Sequence, residues 1–241
     1  MNCGIQLYGV RDLAETGLEK AIKAVSDLGY TSVEFAGFFD NSARDVKEML
    51  AKNKIDIFGT HSSLKELIND YDATVAFHKE IGNKYFTVPA FKLRNQQEID
   101  YFVDTVNELY PKLKKEGITL AFHNHANEVR PNADGSVALE QIIYRTEIAL
   151  EIDAYWAYVG MGDPIALMER VKDRLIAIHI KDGDSEGNGF PLGMGTAPVA
   201  DMYNFAKENN IPLVVESETL TPSGIEEARI CIEYLKDLRV F

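Results

Sequence analysis

Five times in this chain a helical stretch stops at Gly or Asn and runs straight into a short apolar segment: "SDLGYTSVEFAG", "LAKNKIDIFG", "KEIGNKYFTVPA", "KKEGITLAFHNH" and "KENNIPLVVES". Gly and Asn tolerate the left-handed conformation that closes a helix, so each marks a helix end with a strand after it. "VKDRLIAIHIKDG" repeats the rhythm without the cap. The pattern predicts strands near 4–8, 31–36, 55–60, 84–89, 118–124, 148–153, 175–181 and 212–216. Helices are predicted near 14–28, 42–52, 64–81, 95–115, 136–147, 163–172, 198–209 and 222–238, with apolar spacing such as Leu18, Ile22, Val25 and Leu28 in support. Eight alternating units in 241 residues match an α/β chain closed into a (β/α)₈ barrel, one domain over 1–241. A doubly wound open sheet would carry fewer strands and a glycine-rich phosphate turn after the first, and "GIQLYGVRD" has no such turn.

Alternate residues of a barrel strand face the helices and the interior. In the fifth strand Ile118, Leu120 and Phe122 form an apolar row, which leaves Thr119, Ala121 and His123 opposite. The sixth sets Ile148, Leu150 and Ile152 against Ala149, Glu151 and Asp153, and the seventh sets Ile176, Ile178 and Ile180 against Ala177, His179 and Lys181. The eighth opposes Leu213 and Val215 to Val214 and Glu216; in the first two strands Gln6, Tyr8 and Glu34 take the polar row. Large apolar residues therefore face the helices, and polar ones gather inside near the C-terminal strand ends, where barrel enzymes place their chemistry. Buried charges survive only when paired or bound to a metal.

His123, Asp153, His179 and Glu216 occupy equivalent places on four consecutive strands. Two imidazoles with two carboxylates suit one divalent ion, Mn²⁺ first, with Zn²⁺, Co²⁺ or Mg²⁺ as alternatives, and argue against the all-oxygen shell of Ca²⁺. His78, in the helical "TVAFHKEIG", reads as packing or surface.

The segments "GIQLYGVRD", "GYTSVEFAG", "FHNHANE", "EIDAYWAYVGMGDP", "HIKDG" and "VVESE" resemble, in order and over nearly the whole chain, the xylose isomerase-like barrel superfamily and its sugar phosphate isomerase/epimerase branch. The resemblance implies one divalent metal held at the ends of strands five to eight, which maps onto His123, Asp153, His179 and Glu216. Many members use a glutamate at the strand-five position; here the nearest match is His123.

On this reading the substrate is a small sugar or sugar derivative with a carbonyl beside a hydroxyl. Glu216 is the expected base, and Lys181 the expected acid or partner of the charged oxygen, with a salt bridge to Glu151 or Asp182 as the plainer alternative. His125 is a further acid/base, and His61, Glu128, Trp156 and Tyr8 are substrate contacts. The glycine-rich stretch 182–198 reads as a mobile loop able to close over the site. No glycine-rich turn with an adjacent basic residue offers a phosphate cradle. The leading activity is isomerase or epimerase chemistry, and the alternative is a lyase or dehydratase on a keto-sugar, keto-polyol or 3-keto-glycoside. A barrel that cleaves apurinic DNA needs more histidines and a basic surface, whereas this chain has 5 histidines and a formal charge of −13. A non-catalytic sugar-binding barrel is the remaining class.

That charge weighs against nucleic acid and anionic lipid as partners. No apolar run reaches a membrane span, and the start "MNCGIQLYGVRD" lacks the layout of a secretion signal, so the expected location is the cytoplasm. Cys3 and Cys231, far apart and outside any CxxC, read as buried hydrophobes. A homo-oligomer is compatible with the sequence.

Overall fold

A computed structural model describes residues 3–238. Eight parallel strands close on themselves: β1 (Cys3–Gln6), β2 (Ser32–Phe35), β3 (Asp56–His61), β4 (Tyr85–Val88), β5 (Thr119–His123), β6 (Ala149–Asp153), β7 (Leu175–Ile180) and β8 (Leu213–Val215). The ring is sealed where β1 pairs with β8, Ile5 opposite Val215. The chain is a single-domain (β/α)₈ barrel, as the alternation of helix stops and apolar runs predicts.

The helix ends follow local chemistry. Gly29, Gly82 and Gly117 take positive φ where their helices stop. At "LAKNK" the expected Asn53 is the last helical residue instead, and Lys54 adopts the left-handed conformation (φ 51°). The helix predicted over 64–81 is two, Leu64–Asn69 and Tyr71–Glu80, because Asp70 breaks out at φ −151° and its carboxylate caps Ala73 N–H at 3.1 Å. Two short helices directly after strands, Ala126–Val129 and Ala154–Met161, lay outside the predicted elements; both carry site residues.

The strand parity holds. Ile5, Phe35, Phe86, Phe122, Ile152 and Ile178 are buried against the helices, each worth about 1.5–3 kcal/mol of transfer free energy. The Phe122 ring meets Phe102 of helix Gln96–Lys115 edge-on at 5.3 Å, which anchors β5 from outside. On the inner face Gln6, Glu34, Glu151, Asp153 and His179 are 0% exposed. Two parallel pairings shift register, at Val33/Glu34 and at Leu150/Glu151, so both inward glutamates sit beside an irregularity in the ladder.

His78 is buried in the packing layer rather than at the surface, and its Nδ1 accepts from Asn83 Nδ2 at 3.0 Å. Burial pushes its pKa down from 6.5 to about 4. The unfolded chain therefore binds a proton that the folded chain refuses. The stability from neutral His78 is complete above pH 6.5 and is lost as the pH falls toward 4. Between those pH values a His78→Phe variant should show a shallower fall in unfolding free energy than the parent by denaturant titration; parallel curves would refute the assignment.

Candidate active site

The "HNH" stretch at the end of β5 divides three tasks. His123 points inward and is 1% exposed. Asn124 reaches across to β6, where its side chain accepts Asp153 N–H at 3.1 Å and donates to Asp153 carbonyl at 3.3 Å, tying the two strand ends together. His125 sits at the rim with a 40% exposed side chain; its N–H is held by the Glu128 carboxylate at 2.8 Å, which closes the capping box of helix Ala126–Val129.

Asp153 ends β6 and starts the next helix. Its Oδ1 accepts Trp156 N–H at 2.8 Å as the helix cap, which leaves Oδ2 directed elsewhere. Donor atoms of His123, Asp153, His179 and Glu216 all lie within 4.8 Å of one another and all four residues are buried. Asp153 Oδ2 is 3.9 Å from His123 Nε2, and His179 Nδ1 is 2.9 Å from Glu216 Oε2.

Below this quartet lies a second layer in which the parity analysis placed polar residues but no role. His179 turns its other nitrogen to Glu34 (Nε2 to Oε2, 2.8 Å), and Gln6 Nε2 donates to the same oxygen at 2.8 Å. His61 Nε2 lies 2.9 Å from Glu151 and 3.3 Å from Glu34. A carboxylate on one imidazole nitrogen fixes which nitrogen is left for a ligand above, an arrangement common behind metal-binding histidines. His61, His123, Glu151 and His179 also satisfy the spacing of a ligand set. Glu151 is committed to His61, however, and unlike Glu216 it does not border the cleft. The quartet at the mouth is the better cation site.

The electrostatics follow from burial and neighbours. Burial, with Glu151 alongside, pushes Glu34 up to about 7. Burial raises Glu151 too, but the His179 and His61 imidazoles outweigh it and hold it well below the usual carboxylate range. His123, buried among His179 and His61, is held well below its ordinary value and stays neutral, the form that binds metal. Burial disfavours charge on His179, but Glu151 and Glu34 outweigh that and raise its pKa, so a metal would have to displace a proton from the nitrogen that now faces Glu216.

A divalent cation fits this donor set. His123 Nδ1, Glu34 Oε1 and Glu151 Oε1 are buried without a hydrogen-bond partner, and Asp153 Oδ2 is met by the Lys181 ammonium at 3.0 Å. Leaving such groups unmade costs about 1–3 kcal/mol each. Glu34, Glu151, Asp153 and Glu216 put four carboxylates in the interior, and Lys181 is the one lysine or arginine buried among the described residues.

Lys181 does not pair with Glu151 or Asp182, the bridge considered from sequence. Its Nζ lies 3.0 Å from Asp153, 2.8 Å from Glu216 and 2.6 Å from Glu218. Burial disfavours its charge, but these three carboxylates outweigh that and raise its pKa. Glu218, two residues past the assigned Glu216, has no counterpart among the sequence candidates; the alternation in "VVESE" was the available signal.

A cleft of about 510 Å³ opens over this layer, lined by Tyr8, His61, His123, His125, Glu216 and Glu218. Glu128 is not among its lining residues, and its carboxylate is used in holding His125. Trp156 borders a neighbouring hollow of about 210 Å³ with Lys181, Glu216 and Glu218.

The model of the xylose isomerase-like TIM barrel family matches residues 22–238. The chain belongs to that family. Among curated proteins it is 21% identical over 189 residues to inosose dehydratase of Geobacillus kaustophilus strain HTA426, a match covering 68% of this chain and 61% of the dehydratase. The chain thus spans about six-tenths of that relative. A sugar phosphate isomerase/epimerase of Parabacteroides distasonis ATCC 8503 superposes with a TM-score of 0.84 at 21% identity, over 97% of this chain and 93% of that one. An IOLI protein solved with a bound zinc atom superposes at 0.78 and 15% identity, over 99% and 98%.

In this xylose isomerase-like barrel the glycine-rich stretch after β7 is built rather than slack. Asp182–Gly183 and Gly189–Phe190 pair as a two-stranded arm. The buried Asp182 carboxylate accepts N–H groups from Gly193 and Gly195 at 2.9 Å each, Gly183 at 2.7 Å and Ala197 at 3.2 Å. A side chain at Gly195 would collide with that carboxylate, its Cβ 2.3 Å from Oδ1. Asp182→Ala should free the arm and leave the barrel folded: limited proteolysis should cut within 184–196 at least tenfold faster, with the bulk of the chain still resistant. Unchanged cleavage would show that other contacts hold the arm.

Proposed function

We propose that this barrel is a divalent-metal-dependent isomerase or epimerase of a small sugar or sugar derivative, working by proton abstraction beside a carbonyl. The observation that carries the reading is the convergence of His123, Asp153, His179 and Glu216 within 4.8 Å at the edge of an open cleft, with Asp153 Oδ2 directed into the site beside Lys181 Nζ. These four would hold the ion, Mn²⁺ first and Zn²⁺, Co²⁺ or Mg²⁺ as alternatives. When bound, it would polarise the substrate carbonyl and acidify the adjacent C–H.

The remaining roles belong to the chain. Glu216 lines the cleft and takes the proton from carbon; Lys181, His179 and His123 keep it ionised despite its burial. Lys181, its ammonium secured by three carboxylates, hydrogen-bonds the substrate oxygen on which negative charge develops. β8 and β5 stand three places apart around the barrel, so His125 approaches the substrate from a different side than Glu216 and serves as the second acid/base. His61 and Tyr8 contact substrate hydroxyls from the cleft wall, and Trp156 forms an apolar wall beyond Lys181. Glu128 acts by positioning His125.

A lyase or dehydratase shares the first step and then expels a neighbouring substituent. The placement of Lys181 favours keeping it as the second reading, because the ammonium borders the hollow into which a leaving group would pass and can protonate it.

Incubation of the Mn²⁺-supplemented protein with ketoses, inososes and 3-keto-glycosides in D₂O separates the two. Solvent deuterium in recovered sugar is expected for an isomerase or epimerase; loss of water or an aglycone marks the lyase. Glu216→Gln and His179→Ala should each lower exchange by at least about a hundredfold, and a chelator should abolish it reversibly. Full activity in either variant would refute the assignments.

A further inference from the structure

The mouth of the barrel holds two hollows that meet at Glu216 and Glu218, which line both. The larger is the cleft above the imidazoles. The smaller, about 210 Å³, has walls of a different character: the rings of Tyr155 and Trp156 with centroids 5.1 Å apart, and Phe190 carried in by the arm. Two glycines keep it open. A Cβ at 187 would stand 3.4 Å from Trp156 Cζ3, and one at 189 would stand 3.3 Å from Thr219 Cγ2. Lys181 Nζ lies 5.6 Å over the Trp156 ring, so the charged groups mark the boundary with the cleft and the rings mark the far walls.

Proton transfer on a free sugar has no use for this space. An apolar cavity of about 150 Å³ accepts benzene. A hollow of about 210 Å³, walled by Tyr155, Trp156 and Phe190 but also by Asp182, Ser217 and Thr219, has room for one six-membered ring with the atom that links it. We infer that it is a subsite for a ring-sized aromatic substituent, and that the substrate is a glycoside whose sugar ring carries a keto group: its sugar lies in the cleft, its glycosidic oxygen at Lys181 and Glu218, and its aglycone between Trp156 and Phe190. The inference rests on the sugar-site reading of the cleft and adds what the sugar carries.

Trp156 is the chain's single tryptophan, so its emission reports on the hollow directly. The Mg²⁺-supplemented protein is titrated with phenyl β-glucoside, methyl β-glucoside and cellobiose, followed by fluorescence and calorimetry, with deuterium exchange on ketoses run in parallel. The phenyl glycoside should bind at least about tenfold tighter than the methyl glycoside and shift the emission, as burial of a ring's apolar surface requires. Phe190→Ala should remove most of that gain and Gly189→Leu should block it, while both keep the methyl glycoside affinity and the ketose exchange of the parent. Equal binding of phenyl and methyl glycosides, a preference for cellobiose, or a gain that survives both substitutions would overturn the inference. Exchange without any ring-dependent gain overturns the subsite alone; a ring-dependent gain with no exchange on any substrate overturns the proton-transfer reading and keeps the subsite.

Discussion

The interior of this barrel gathers four carboxylates around one buried ammonium and a set of imidazoles, and the arrangement of its mouth follows from the need to compensate them. Glu34, Glu151, Asp153 and Glu216 are all at most 4% exposed, and Lys181 is the buried ammonium that answers them. An ionised carboxylate out of water is tolerated only when opposite charge or several donors reach it. The chain supplies these in layers: Gln6 and His179 on Glu34, His61 on Glu151, Lys181 on Asp153 and Glu216. A divalent ion between His123, Asp153, His179 and Glu216 would complete the compensation at the end that opens to substrate.

His179 links the layers. One nitrogen faces the glutamate below and the other faces the ligand set above, so the lower carboxylates orient the imidazole that the upper site uses. Asp153 does the same for the helix that follows, with one oxygen spent on the cap at Trp156 and the other directed into the site. The cap also fixes where Trp156 stands. One metal ligand and the aromatic wall thus share one short turn of chain.

The barrel and its inward ring were legible because both rest on local periodicity. Helix stops before apolar runs mark the strands, and alternation along β5 to β7 separates helix-facing from interior residues. The same alternation placed Glu34 and Glu151 inside yet gave Glu34 no role and offered Glu151 only as a partner of Lys181, because their work is done against His61 and His179 from strands distant in sequence. Glu128 illustrates the converse. Its spacing from His125 closes a capping box, and the carboxylate expected to contact substrate accepts the backbone N–H of His125 instead. The arm after β7 reads from its glycines as a mobile loop, whereas its folded form is organised by Asp182, whose four N–H partners become visible only once the segment folds back on it.

The claim on which the account stands is that four strand ends converge on one cation, and anomalous scattering from crystals grown with Mn²⁺ tests it most directly. The account predicts a single peak per chain within coordination distance of His123, Asp153, His179 and Glu216, lost in Asp153→Asn. A peak held instead by His61 and Glu151, or no peak at millimolar Mn²⁺, would contradict it.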